Sequence, residues 1–226
     1  MIKFVNVTKS YPSGAVVLDN VSFEIKLGEF VSIVGKSGAG KTTLIRMLLG
    51  LEEPTSGEIF FNDVNILHTR HEKLQDLRQK IGVVYQDYKL LANKTVYENI
   101  AYVMAVRGEK DEKIAEEVKL VLEVIGLSEK TNNFPNQLSG GEQQRLAVAR
   151  AIVNKPDVVI ADEPTGNLDP YNSYEIVALL KKINEAGKTV ILASHDKEII
   201  NKLNRRVITL ENGKIVRDEL EGKFIL

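Results

Sequence analysis

The sequence predicts an α/β fold with a mostly parallel core sheet, an antiparallel β layer beside it and a helical subdomain. Short apolar strands alternate along the chain with segments of helical periodicity, which favours parallel strands joined by helices. Residues 2–7 and 21–25 instead alternate apolar and polar side chains, as half-buried strands do. Residues 87 to about 140 carry helical patterns without strands, and we interpret them as an insertion between two strands of the core sheet.

The predicted elements follow one another in chain order. The predicted strands cover residues 2–7, 21–25, 30–34, 58–61, 81–85, 158–161, 189–193, 206–210 and 215–218. The predicted helices cover residues 42–49, 96–107, 112–125, 141–153 and 171–186. Asn212 and Gly213 between the last two strands form a typical hairpin turn signal. We expect residues 1–226 to form one domain with the helical insertion inside it.

Composition limits the classes of partner and compartment. The chain has 226 residues with 30 Lys and Arg against 31 Asp and Glu, a formal net charge of -1, which favours no nucleic-acid partner. It contains no cysteine, which excludes disulfides and is compatible with a reducing cytoplasm. The first residues do not resemble a signal peptide, and no apolar stretch approaches the ~20 residues that span a bilayer. We therefore expect any membrane-spanning part of the system to belong to another chain.

Residues 35–42 read G-K-S-G-A-G-K-T and form a phosphate-binding loop motif. A predicted strand precedes the motif and a predicted helix follows it, which is the context that this motif requires. The glycines let backbone N–H groups approach phosphates, and the helix adds the positive end of its dipole. In this motif Lys41 contacts the β- and γ-phosphates, and Thr42 offers its hydroxyl to Mg²⁺.

An apolar strand at 158–161 ends in two carboxylates, Asp162 and Glu163. Ligands bind at the carboxyl ends of the strands in open α/β sheets, so these side chains are expected beside the phosphate loop. Without the loop, the same pair would be interpreted as a solvated turn. Gln86 and His195 also follow predicted strands, and each alone is more often structural than catalytic.

Residues 138–143 read L-S-G-G-E-Q just before a predicted helix. A serine with small residues at a helix N-terminus serves both as a cap and as an anion site. This sequence and the phosphate loop resemble the two halves of the ATP site in the ATP-binding-cassette (ABC) family. The resemblance implies that each signature closes over the nucleotide held by a partner subunit, so that ATP drives formation of a homodimer.

The resemblance assigns a role to each matching residue. Asp162 resembles the aspartate that organises Mg²⁺, and Glu163 resembles the general base. Gln86 matches the glutamine that touches Mg²⁺ and the attacking water, while His195 matches the histidine that reaches the γ-phosphate. Tyr11 stands where an aromatic ring stacks on adenine.

The resemblance thus predicts a complete set of site residues for ATP and Mg²⁺. The predicted catalytic residues are Glu163, His195 and Gln86, and the predicted magnesium ligands are Thr42, Gln86 and Asp162. The predicted nucleotide-binding residues are Tyr11, Gly35, Lys36, Ser37, Gly38, Ala39, Gly40, Lys41, Thr42, Thr43, Ser139, Gly140, Gly141 and Glu142. Residues 166–169 resemble the loop that runs along the dimer interface, but Gly166 and Asn167 replace the commoner Ser-Ala pair. No individual role is predicted for Asn167.

Within the family, the sequence is most similar to the FtsE subfamily. The residues behind this are Tyr-Gln-Asp at 85–87, Leu-Leu at 90–91 and the Arg-Asp tail at 217–218. The resemblance implies an integral membrane partner like FtsX, a location at the cytoplasmic face of the membrane, and control of cell-wall hydrolases in cell division. An ATPase of a lipoprotein-release or macrolide exporter is the alternative, since residues 161–169 are shared with those proteins.

Two other classes remain as rivals. A soluble ABC protein acting on ribosomes or DNA usually carries two cassettes or a long coiled coil, and this chain shows one cassette and no sustained heptads. A phosphate-loop kinase would need neither the signature nor Gln86 and His195 in this order.

The segment after Gln86 is the predicted contact with the membrane partner. Tyr88, Leu90, Leu91 and Tyr97 are apolar or aromatic enough to anchor a helix in a groove. The alternative is that they pack inside the insertion.

Overall fold

The computed structural model describes residues 1–224, and it confirms the predicted fold class. The strands are β1 Ile2–Ser10, β2 Val16–Ile25, β3 Phe30–Val34, β4 Ser56–Phe61, β5 Val64–Asn65, β6 Ile81–Tyr85, β7 Val158–Asp162, β8 Thr189–Ser194, β9 Arg206–Glu211 and β10 Lys214–Glu219. The helices are α1 Lys41–Leu48, α2 His71–Gln79, α3 Val96–Ala105, α4 Asp111–Val124, α5 Gly140–Ile152, α6 Pro170–Glu185 and α7 Lys197–Leu203. Short 3₁₀ turns lie at Ile66–His68, Ser128–Lys130 and Pro135–Gln137.

The larger sheet has the strand order β10-β9-β3-β8-β7-β6. Its neighbouring strands run parallel from β9 to β6, and β10 is antiparallel to β9. Strands β3, β7 and β8 are buried along their whole length, because layers cover both faces of the sheet. The carboxyl ends of β3, β6, β7 and β8 therefore meet at one edge, where the phosphate loop and the polar residues that follow these strands lie.

The smaller sheet is antiparallel, with the order β2-β1-β4-β5. The pairing of β1 with β2 shifts register where Asn6 and Asn20 take left-handed backbone angles, with φ of 49° and 51°. A register shift exchanges the faces to which side chains point, so regular alternation is lost there. This explains why the sequence pattern predicted β2 only from residue 21 and ended β1 at residue 7.

Two hydrophobic clusters lie on opposite faces of the parallel sheet. Val158 and Ile160 of β7 face the cluster that includes the antiparallel sheet and α1. Val159 and Ala161, the alternate residues of the same strand, face the cluster that includes α3, α4, α5, α6 and α7. The alternation of side chains along β7 thus joins the two layers directly beneath the predicted carboxylates.

Two helices were not predicted from the sequence. Helix α2 buries only Leu77, so its sequence carries no apolar stripe that would reveal a helix. Helix α7 is short, but Asp196 caps it by accepting hydrogen bonds from the backbone N–H groups of Glu198 and Ile199. It ends at Asn204 with a φ of 47°. Aspartate is a preferred N-cap residue, so Asp196 is the local sequence signal for the start of α7.

The region between β6 and α5 holds α3 and α4. Thr95 and Glu98 form a reciprocal capping box at the start of α3. The buried Asn99 bonds both the N–H and the carbonyl oxygen of Leu91, which ties the preceding loop to the helix. No helix within residues 1–224 has the length and apolar character needed to cross a membrane.

Most of the residues predicted to anchor the membrane partner pack inward. Tyr88, Leu90 and Tyr97 are partly buried against the cluster that contains α3, α4 and α5. Their partial burial favours the alternative, packing inside the insertion, for these three residues. The physical reason is that α3 and α4 must cover apolar residues on their own side of the sheet.

Candidate functional site

The phosphate loop joins the end of β3 to the start of α1. Its glycines are required by geometry, since a Cβ at Gly35 would lie 2.4 Å from the carbonyl oxygen of Leu210. Gly38 and Gly40 have φ of 81° and 102°, which side-chain-bearing residues rarely adopt. Residues 36–39 line a small concavity together with residues 210–212 of the β9 end. The backbone thus forms an open cradle in front of helix α1.

Helix α1 begins at Lys41 without a side-chain cap. The first N–H groups of an α-helix lack intrahelical partners, so those of α1 remain available to a ligand. The Lys41 side chain, only 5% exposed, donates to the carbonyl oxygens of Gly35 at 2.8 Å and Lys36 at 3.3 Å. Its ammonium is held inside the cradle, where it can exchange these partners for phosphate oxygens.

Asp162 ends β7 and lies against the phosphate-loop helix. The Thr42 hydroxyl donates to a carboxylate oxygen of Asp162 at 3.3 Å. Burial raises the pKa of Asp162 above its usual value, and the nearby Glu163 charge adds to the rise, whereas the Thr42 bond and Lys41 oppose it. Burial penalises the charged form of this carboxylate, and a cation that approaches it would stabilise that charged form.

Glu163 contacts both the phosphate-loop lysine and the histidine that follows β8. Its carboxylate lies 3.0 Å from the Lys41 ammonium and 2.8 Å from His195 Nδ1. Its backbone has a φ of 50°, and its N–H donates to the carbonyl oxygen of Ala193 on β8. A left-handed backbone at a residue other than glycine is uncommon and is found preferentially at functional sites. The phosphate-loop lysine and the two residues after β7 and β8 are thus in direct contact.

Gln86 follows β6 at the same edge of the sheet. Strand β6 pairs with β7, and Tyr85 is the register partner of Asp162. The Gln86 side chain donates from Nε2 to Oδ1 of Asn167 at 3.3 Å, and Asn167 donates from Nδ2 to the Gln86 carbonyl oxygen at 3.1 Å. A cleft of roughly 280 Å³ is lined by residues that include Thr42, Gln86, Asp162 and Glu163.

Tyr11 stands beside the first turn of α1. Its pKa is raised chiefly by the hydrogen bond of its hydroxyl with Glu52, and Thr43 contributes a smaller interaction that lowers it. The Lys9 ammonium lies 5.2 Å from the centre of the Tyr11 ring. Tyr11 is 36% exposed, so part of its side chain is accessible to a ligand.

The signature forms the N-terminus of α5. Ser139 Oγ accepts from the backbone N–H of Glu142 at 3.3 Å, and the Glu142 carboxylate accepts from the N–H of Ser139 at 2.8 Å. The backbone hydrogen bond from Ser139 lowers the pKa of Glu142. A Cβ at Gly141 would lie 1.9 Å from Oδ1 of Asn172, so α5 approaches α6 closely here and a larger residue would displace that side chain.

The structure brings most predicted site residues to one edge of the parallel sheet. Lys41, Thr42, Asp162, Glu163 and His195 form a continuous chain of contacts there. In the described part of the chain, no hydrogen bond or ion pair joins residues 139–142 to residues 35–43. Within residues 1–224, the signature and the phosphate loop of one copy thus form no directly bonded site.

Two polar residues at this edge were missed by the sequence interpretation. Gln144 of α5 is fully buried and donates from Nε2 to the carbonyl oxygens of Tyr85 at 3.4 Å and Pro164 at 2.7 Å. It joins the signature helix to the residues next to Gln86 and Glu163. A glutamine beside Leu146 and Ala147 on the inner face of α5 was the available signal. Asn167, for which no role was predicted, pairs with Gln86.

Comparison with known proteins agrees with this geometry. The family model described as "ABC transporter" matches residues 18–166. The cell division ATP-binding protein FtsE of Bacillus subtilis is 50% identical over 224 residues, which cover 99% of this chain and 98% of that protein. FtsE of Mycobacterium tuberculosis is 48% identical over 225 residues, covering 99% of this chain and 98% of that protein.

Solved structures give the same result. The dimeric ATP-binding cassette MJ0796, in a post-hydrolysis state bound to ADP and Pi, is 38% identical. It has a TM-score of 0.88 and covers 99% of this chain and 100% of its own. The family predicted from the phosphate loop and the signature is confirmed. The chain belongs to the ABC transporter family and is an ATP-hydrolysing cassette of that family.

Proposed function

We propose that this chain is the FtsE-like ATPase subunit of a bacterial cell-division complex, located at the cytoplasmic face of the membrane through an FtsX-like integral membrane protein. Two copies close over two ATP molecules, and the cycle is transmitted to cell-wall hydrolases. The similarity to relatives named FtsE over 99% of the chain favours this function over a lipoprotein-release or macrolide exporter.

The observation that carries the catalytic part is the contact chain at the sheet edge. Lys41 and the N–H groups of the loop would bind the phosphates, and Tyr11 would stack on adenine. When ATP binds, the Lys41 ammonium would leave its ion pair with Glu163 and bind phosphate oxygens instead. The Glu163 carboxylate would then be free to accept a proton from the attacking water. His195 would then turn from Glu163 toward the γ-phosphate.

The oxygen atoms at this edge fit a magnesium ion. Mg²⁺ prefers oxygen ligands and is commonly bound by one or two carboxylates together with substrate phosphates. Thr42 and Asp162 already lie in contact, and Gln86 lines the same cleft. Within residues 1–224 no three His, Cys, Asp or Glu side chains form a metal cage, so the phosphates would supply further ligands. The ion would neutralise charge on the phosphates, while these three side chains fix its place.

Replacing Glu163 by glutamine tests the catalytic proposal. Glu163→Gln keeps the shape of the site but removes the base, so ATP hydrolysis should fall about 100-fold or more. ATP binding should persist, and the variant should accumulate as a dimer on size exclusion when ATP is present. Measured turnover near that of the native protein would show that Glu163 is not the base.

A second surface for the membrane partner lies beside the predicted one, whose residues are partly buried. A groove of roughly 380 Å³ lies between α2, β6 and α3, beside the strand that leads to Gln86. Its lining includes Tyr102 and Val106, which are 50% and 70% exposed, together with Arg78 and Arg107. An apolar helix that carries an acidic residue would match this lining in shape and charge.

A charge placed in the groove tests this surface. Val106→Glu should release the protein from membranes, because the new carboxylate would repel the acidic residue of the partner helix and compete with it for Arg78 and Arg107. Val124→Glu on α4 is the matched control, since Val124 is 63% exposed and lies outside the groove. Fractionation of cells measures membrane association, and nucleotide binding by the purified variants verifies that they are folded. Equal membrane association of both variants would move the docking surface elsewhere.

A further inference from the structure

The loop at 166–169 contains two residues that depart from the family's commoner Ser-Ala pair. These residues, Gly166 and Asn167, both lie against Gln86. Gln86 follows β6, and the loop follows Glu163 at the end of β7. Since β6 and β7 are neighbouring parallel strands, the two segments leave the sheet side by side.

Asn167 holds Gln86 at two points. It accepts a hydrogen bond from Gln86 Nε2 at 3.3 Å and donates one to the Gln86 carbonyl oxygen at 3.1 Å. The first bond orients the side-chain amide, and the second fixes the backbone that carries it. Both residues are exposed, so the pair contributes little to overall stability and its removal leaves the fold intact.

Gly166 provides the space for this arrangement. A Cβ at position 166 would lie 2.6 Å from Gln86 Nε2 and 2.9 Å from its Cδ. Any residue with a side chain would therefore displace the Gln86 amide. The glycine and the asparagine thus serve the same contact with Gln86.

The orientation of the amide decides which atom is presented to the site. A glutamine amide has one oxygen, which can bind a metal ion, and one NH₂ group, which cannot. Asn167 engages the NH₂ group, and Oε1 accepts no hydrogen bond within residues 1–224. We propose that Asn167, with Gly166, is a positioning residue that keeps Oε1 of Gln86 directed toward the magnesium ion. This inference rests on the proposed role of Gln86 in binding that ion.

The first test needs neither nucleotide nor metal. In ¹⁵N-labelled protein, the side-chain NH₂ signal of Gln86 is identified by its loss in Gln86→Ala. Asn167→Ala and Gly166→Ala should both shift this signal. The control Asn93→Ala, the same substitution at another exposed asparagine, should leave it in place. An unchanged Gln86 signal in both Asn167→Ala and Gly166→Ala would overturn the proposal.

The second test measures the magnesium requirement of ATP hydrolysis. Removing a partner that orients a metal ligand typically lowers metal affinity or activity at least about tenfold. Asn167→Ala should therefore raise the Mg²⁺ concentration for half-maximal activity by about this factor, with unchanged binding of metal-free ATP. Combining it with Gln86→Ala should add no further change, because both variants remove the same interaction.

The two tests separate failure of the inference from failure of the proposed function. If Gln86→Ala leaves the magnesium requirement unchanged, the role of Gln86 as a ligand is wrong, and the NMR signal still decides whether Asn167 positions it. If Gln86→Ala raises the requirement and Asn167→Ala does not, the positioning role is wrong.

Discussion

Two helix N-termini in this protein have motifs suited to phosphate, and they differ in whether a side chain caps them. Helix α1 begins after Gly40 with no side-chain cap, and no acidic residue lies in its first turn. Helix α5 begins after Ser139 with a complete capping box, and Glu142 occupies its first turn. The first N-terminus leaves its N–H groups to a ligand, whereas the second satisfies part of its own.

The difference shows how a serine can be both cap and ligand. Ser139 Oγ accepts from the N–H of Glu142, but a hydroxyl also has one proton to donate. That proton can reach a phosphate oxygen of a facing molecule without disturbing the cap. The phosphate loop is therefore suited to bind nucleotide in a single copy, and the signature is suited to complete a site that another copy has already filled.

The largest expected effects come from disabling each N-terminus separately. Lys41→Ala should abolish ATP binding, while Ser139→Arg should preserve binding and abolish hydrolysis. A mixture of the two inactive variants should recover up to about a quarter of native activity, because half of the dimers carry one intact site in two. ATPase and nucleotide-binding assays on the single and mixed proteins measure this.

The same experiment has a clear opposing result. ATPase activity that is first-order in a demonstrable monomer would contradict a shared site. An inactive mixture that is shown to contain mixed dimers would also contradict it, where one intact site suffices for hydrolysis. The signature would then act only as a helix cap.

A smaller effect is expected on stability. Ser139→Ala removes the cap of α5, which should cost about 1 kcal/mol of unfolding free energy. For a chain of this size the melting temperature should fall about 2–4 °C. Gly40→Ala supplies the contrast, since its destabilisation comes from the φ of 102° and the contact with Leu18 and not from a lost cap. Thermal unfolding without nucleotide measures both, and a native melting temperature for Ser139→Ala would contradict the capping box.

The smallest effect concerns the acidic residue at each site. Glu142 has a lowered pKa in the folded state, so its contribution to stability is present above its unfolded pKa near 4.5 and is lost as the pH falls through the folded value. Asp162 has a raised pKa, so its contribution is present below its unfolded pKa near 3.8 and is lost as the pH rises through the folded value.

Neutral substitutions should therefore shift stability in opposite directions at about pH 7. Asp162→Asn should raise the melting temperature of the nucleotide-free protein, because it removes a buried charge while weakening hydrolysis. Glu142→Gln should lower it slightly, since glutamine still closes the capping box. Both differences should vanish as the pH falls below these pKa values, and unfolding curves across this range test the signs. A destabilised Asp162→Asn would show that burial does not dominate at this residue.

The sequence by itself determined the strands that end at the site and the residues that follow them. Residues 35–42 form one contiguous motif and residues 158–163 form another. The function of each follows from local geometry: a glycine loop before a helix in the first, and two carboxylates at the end of a buried strand in the second. Strand order β3-β8-β7-β6 then places Asp162, Glu163 and His195 together. The fold class was predictable for the same reason, because short apolar strands followed by helical periodicity indicate parallel strands joined by helices.

Only the tertiary structure decided which side chains meet between segments far apart in sequence. The pair of Gln86 and Asn167 joins residues separated by 81 positions, and Gln144 contacts carbonyl oxygens on two loops. Helix α2 and the inward packing of Leu90 likewise depend on neighbours that no local pattern reveals. A sequence pattern records burial along one element, whereas these contacts depend on the distance between elements, which is set when the helices and both sheets pack together.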